Sequence, residues 1–188
     1  MFTRAVLATI CLLALAPAAL AHSFNVTLLV PIDSSDRTGD AVEAFLLASG
    51  ERDAHAGEES DGHLGGLDVY LEVIAANYLT FPPDIAVMES APDIIAELAN
   101  ALSGRGFEGM LDGAGPAMVK IPALTPEDER AYLMSGPAPF AVRFEARTGR
   151  APGEIATLAY VAARRIDEAV RALGGVDERA ALARLLQR

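Results

Sequence analysis

Residues 24–32 read Phe-Asn-Val-Thr-Leu-Leu-Val-Pro-Ile, an almost unbroken apolar and β-branched run that stops at Pro31-Ile32-Asp33. A run of that length without polar alternation predicts a strand buried on both faces, as in a parallel sheet. A polar loop, DSSDRTGD, follows, and a helix is expected to start near Thr38 to Asp40 with Val42, Phe45 and Leu46 on its apolar stripe. Leu67 to Ile74 (LDVYLEVI) alternates apolar and polar positions, the mark of a strand with one apolar face. Asp84 to Glu89 (DIAVME) reads as a third strand. Ser90, Pro92 and Asp93 read as the start of a helix with Ile94, Ile95, Leu98 and Leu102 as its stripe and Gly104 as its stop. Phe107 to Leu111 is a candidate fourth strand.

Helices dominate the rest. Thr125-Pro126-Glu127-Asp128 places an N-cap, a proline at the first helical position and acids at the positive end of the dipole. Pro139 opens another helix that Gly149 closes. Pro152 begins the longest, to about Leu173, with Ile155, Leu158, Ala159, Ala162, Ile166, Ala169, Val170 and Leu173 at helical spacing. Gly174-Gly175 ends it, and Asp177 caps a last helix through Leu186. The order of elements predicts an α/β fold: a mostly parallel sheet of about four strands flanked by helices.

The 188-residue chain opens on MFTRAVLATICLLALAPAALA. Arg4 precedes an apolar run of about ten residues, too short to span a bilayer, and Ala19-Leu20-Ala21 offers small residues for cleavage before His22. Residues 1–21 are therefore expected to be a cleaved signal peptide, with a single α/β domain over 22–188 and a periplasmic destination. Cleavage removes Cys11, the one cysteine, so no disulfide is expected in the mature fold. It also removes one arginine and no acid, so the formal charge moves from −11 to −12. That surface repels nucleic acid and anionic lipid, and neither is expected as a partner.

The residues Phe140-x3-Phe144-x2-Arg147-Thr148-Gly149-Arg150-x-Pro152-x3-Ala156-x3-Tyr160-x-Ala162-Ala163 resemble the type I periplasmic binding proteins, the solute receptors of ABC importers for branched-chain amino acids, amides and urea. Gly174-Gly175-Val176-Asp177-x3-Ala181-Leu182 is similar to that family's ending, and Val26 to Ile32 to its first strand and loop. Pro83 to Val87 through Gly106-Phe107-Glu108-Gly109 is similar to its later strand, helix and turn. The chain departs from the family at Val161, where an acid usually follows the tyrosine. It departs again after Ile74, which runs almost directly into PPDIAVM where the family carries much of a second lobe. The resemblance implies a single lobe of that fold and the binding of a small polar solute such as an amino acid or amide, with an ABC permease or another periplasmic protein as partner. In the family, hydroxyls and backbone groups on loops after the strands hold the ligand. Here that implies Ser34, Ser35, Asp36 and Thr38 after the first strand, and Glu89 and Ser90 after the third. The same residues also suit a solvated loop and helix caps.

A second class of function rests on other residues. Glu51 to Asp68 carries six acids, two histidines and four glycines. His55, His63 and Asp61 offer nitrogen and oxygen ligands for a divalent metal, and Asp61 to Asp68 resembles a glycine-rich calcium turn. His22, once exposed as an N-terminal residue, adds an α-amine beside an imidazole, a copper-chelating pair. A copper- or calcium-binding or accessory protein is thus the alternative to a solute receptor, and an acidic solvated loop is the plainer account of the stretch. A purely structural partner of a periplasmic system is a third reading. No enzyme is expected: there is no Gly-x-Ser-x-Gly elbow, no His-Glu-x-x-His, no Walker sequence and no dinucleotide glycine spacing, and no cofactor is implied.

Overall fold

The computed structural model describes residues 23–31, 35–52, 59–76, 91–102, 115–121 and 126–187, apart from the side chains of 35–37 and 126–129. The expected signal peptide, the strand at 84–89, the capping Ser90, the stop at Gly104 and the strand at 107–111 lie outside the described residues. What is described is an α/β fold. Five strands, β1 (Ser23–Val30), β2 (His63–Leu64), β3 (Leu67–Ala75), β4 (Ile94–Leu98) and β5 (Ala117–Ile121), form one sheet in the order β2-β3-β1-β4-β5. All neighbours are parallel except the β2–β3 hairpin, and the sheet curls into a half-barrel. The helices are α1 (Ser35–Gly50), α2 (Pro126–Leu133), α3 (Phe140–Thr148), α4 (Glu154–Leu173) and α5 (Arg179–Leu186).

The register explains the sequence pattern. β1 is the middle strand, so both its faces are covered and its apolar run is continuous. Phe24, Val26, Leu28 and Val30 join the main core with α1 and α4, whereas Leu29 belongs to a second cluster with Ile74, Ile95 and Leu102. One row across the sheet reads Val73, Leu28, Ala96, Val119. The row behind it reads Ile74, Leu29, Glu97, Lys120.

Residues 94–98 correct the sequence reading: the expected helix is the strand β4. All five of its residues are buried. A short run buried on both faces has no period to show, and the spacing of Ile94, Ile95 and Leu98 fits a helix stripe by coincidence. Pro92 precedes the strand rather than opening a helix. Two strands had no counterpart in the sequence reading. β5 alternates Ala117, Val119 and Ile121, all buried, with Met118 and Lys120. β2 is only two residues long. Helix α1 starts at Ser35, ahead of the expected Thr38, and its innermost residues are Ala41, Ala44, Phe45 and Ala48 rather than Val42 and Leu46. These small residues suit the close packing of α1 along α4, whose own buried residues include Ala156, Ala159 and Ala163.

The helix ends agree with the sequence. Gly149 and Gly174 close α3 and α4 at φ of +74° and +71°, each donating its amide to the carbonyl four residues earlier. Pro139 stands at the N-cap of α3. The cap of α5 is Glu178, one residue past the expected Asp177. No described helix is long and apolar enough to cross a membrane.

Candidate functional site

The chain runs from β1 to β3 on one side, then returns across β1 to place β4 on the other. In a parallel sheet, the place outside the carboxyl ends of the strands at such a reversal, here β1 and β4, is the usual seat of a ligand. Helix α1 begins at this edge, after β1. Helix α4 begins there too, because the two run in the same direction. Asp40 near the start of α1 lines a cavity with Gly153, Glu154, Ile155 and Ala156 of the first turn of α4, and Arg52 beyond the end of α1 meets Asp167 further along α4. The cavity measures about 190 Å³, and Asp40 is ion-paired with Arg150 at its rim.

The turn after β4 is the most unusual backbone at this edge. Ala99 and Asn100 both lie in the left-handed region, at φ of 51° and 54°. Asn tolerates that conformation, but at Ala99 it costs on the order of 1–2 kcal/mol. Surrounding hydrogen bonds hold the turn. The Ala101 amide donates to the Leu98 carbonyl at 3.1 Å, and the Ala99 amide donates to the Ile121 carbonyl of β5 at 3.2 Å. The Leu102 amide donates to Oε1 of Glu97 at 2.8 Å. Glu97 is buried on the face of the sheet that carries Leu29 and Ile95, opposite the helices. Its Oε2 makes no hydrogen bond, and the ammonium of Lys120 on the neighbouring strand lies 3.9 Å away. Strain at the end of a strand beside a buried carboxyl group is a reason to look for function there.

The residues expected from the sequence are placed as follows. Ser34, Glu89 and Ser90 lie outside the described residues, as do His22 and His55. Ser35 and Asp36 form the start of α1, at the edge just defined, and Thr38 follows half-buried in the same helix. Asp61 and His63 sit in the β2–β3 hairpin instead. Oδ2 of Asp61 accepts the Leu71 amide at 2.7 Å, its carbonyl accepts the Ser49 hydroxyl at 2.7 Å, and His63 Nε2 meets Asp68 Oδ1 at 2.8 Å. Gly65 and Gly66, at φ of +66° and +86°, make the two-residue turn of this hairpin. The glycine-rich stretch that resembles a calcium turn is thus built as a hairpin. Among the described residues no group of three or more His, Cys, Asp or Glu gathers as metal ligands would.

The motif shared by α3 and α4 does structural work. Phe140 and Phe144 are buried one turn apart, and Phe140 stacks on Tyr160 at 4.4 Å between centroids. The Tyr160 hydroxyl donates to Glu51 at 2.9 Å and accepts from Arg143 at 2.9 Å, while Arg143 also pairs with Glu51 and caps the Ser135 and Ala138 carbonyls. Arg147 pairs with Glu43 and Arg150 with Asp40, fastening the α3–α4 elbow to α1.

Sequence reasoning missed Glu97, Ala99 and Asn100 because it placed them on a helix. The available signal was one acid inside a five-residue apolar run. Comparison of the chain with protein families, characterised proteins and solved structures gives no match.

Proposed function

We propose that this chain is an exported solute-binding protein, a single-lobe relative of the type I periplasmic receptors, that takes a small polar solute such as an amino acid or amide at the carboxyl edge of its sheet. It would hand that solute to an ABC permease or another periplasmic partner and perform no chemistry of its own. The observation that supports this reading best is the reversal of strand order between β1 and β4, with the strained Ala99-Asn100 turn on one side and the start of α1 on the other. The start of α1 contains Ser35, Asp36 and Thr38, the hydroxyl and carboxyl groups that the family resemblance assigns to the ligand. Parallel α1 and α4 also direct two positive dipole ends to that edge, which suits a solute with a carboxylate or carbonyl group.

A thermal-shift screen of the purified protein against amino acids, amides and short organic acids tests the reading, since a ligand bound to the native state alone raises the melting temperature. A dose-dependent rise for one chemical group of compounds is the expected result. A flat response across the panel overturns the receptor reading. Copper and calcium belong in the same screen, because a rise with either metal alone favours the metal-binding alternative.

A further inference from the structure

We propose that Glu97 is a solute-binding residue and that the solute it selects carries a primary ammonium group, which Oε2 of Glu97 accepts. The inference rests on the solute-binding reading above and narrows it to a chemical class.

Glu97 stands at the carboxyl end of β4, opposite Leu29 of β1, where the strand order reverses. Its two oxygens are unequal. Oε1 accepts the Leu102 amide at 2.8 Å, and Oε2 is buried without a hydrogen bond. Two other buried or partly buried carboxyl groups among the described residues have both oxygens paired. Asp167 spends Oδ1 on the Gly65 amide and Arg171 and Oδ2 on Arg52, and Glu51 divides its oxygens between Arg143 and Tyr160. A buried acceptor left unmade is costly, so an unused oxygen at this position has the form of a waiting contact.

The strained turn fixes that contact in place. Ala99 and Asn100 bend the chain so that the Leu102 amide comes back onto Glu97, which locks the carboxyl group in one orientation before any ligand arrives. The chemistry of the free atom then sets the class of ligand. An acceptor oxygen in a buried site takes a cationic donor in preference to a neutral one. With Oε1 already engaged, only one oxygen is offered. That suits the point charge of an ammonium and not the planar fork of a guanidinium, which seeks both oxygens.

Lys120 supports the same assignment. Its ammonium lies 3.9 Å from Oε2, too far to hydrogen-bond, and its side chain is 57% exposed. It supplies positive charge near the oxygen without occupying it, and it can turn outward to water when a solute ammonium arrives.

Calorimetric titration of the whole chain with matched probes tests the proposal. The probes are 4-aminobutyrate with butyrate and with 4-guanidinobutyrate, and glycinamide with acetamide, together with the common amino acids. We expect 4-aminobutyrate to bind more tightly than either butyrate or 4-guanidinobutyrate, and glycinamide more tightly than acetamide. Glu97→Gln weakens amine binding on the order of tenfold or more, and Lys120→Met, which removes the competing ammonium, tightens it several-fold. Equal binding of amine and amine-free probes, unchanged by either substitution, overturns the role of Glu97 while leaving a solute receptor in place. Absence of binding by every probe overturns both. If Glu97→Gln does not fold, Lys120→Met decides: tighter amine binding supports the proposal, and unchanged or weaker binding contradicts it.

Discussion

At Gly65 a Cβ would come within 2.4 Å of Cγ1 of Val170, and the backbone φ is +66°. Both facts exclude a side chain. Gly65→Ala is expected to cost about 2–4 kcal/mol from left-handed strain plus overpacking, measured by urea denaturation. A loss below about 0.5 kcal/mol, the range of an inert surface change, contradicts the described packing of the hairpin on α4. Tyr132 gives a pH-dependent test. Burial, then the hydrogen bond to Glu168, pushes its phenol from 10.0 up to about 12. A folded-state pKa above the unfolded one means that the stabilisation is complete below pH 10. It is then lost as the pH rises from about 10 through about 12. Tyr132→Phe should therefore show a shallower fall in melting temperature over that interval than the parent, and parallel falls in both proteins contradict the assignment.

Among the elements, the α3–α4 elbow separates strong contacts from weak ones. Phe144 is fully buried, so Phe144→Ala is expected to cost about 3–5 kcal/mol. Arg147 pairs with Glu43 across an exposed surface, and Arg147→Ala should cost less than about 1 kcal/mol. Chemical denaturation of the two variants checks the ranking, and a larger loss from the arginine reverses it. The same elbow shows what a sequence can disclose. Pro139, Gly149 and Gly174 mark helix ends because their backbone chemistry is local, and the helical spacing from Ile155 to Leu173 survives because α4 has a wet face as well as a dry one. β3 was legible for a related reason: one of its faces is more polar than the other, and it shows in the alternation. β4 was not, because burial on both faces erases that alternation. With β4 read as a helix, Glu97 became one more polar position on its surface, and its place at the end of a central strand was hidden.

At the scale of the whole molecule, the sequence predicts a mostly parallel α/β sheet but not which strands are neighbours. The order β2-β3-β1-β4-β5 depends on where each connection crosses, and no local residue pattern encodes it. Yet that order is what locates the candidate site, since it brings the end of β4 beside the end of β1. The loop residues Asp33 to Thr38 were legible as hydrogen-bonding groups, and the place of Ser35 to Thr38 at the carboxyl edge of the sheet follows only from the strand order. The metal reading draws on a different part of the molecule, the β2–β3 hairpin that holds Asp61 and His63. A nitrogen-15 NMR titration with the solute giving the largest thermal shift separates these places directly. The account predicts that the amides of Ala99 to Leu102 and of the first turn of α1 move together and saturate. Movement confined to residues 61–68, with the turn after β4 unchanged, would contradict it.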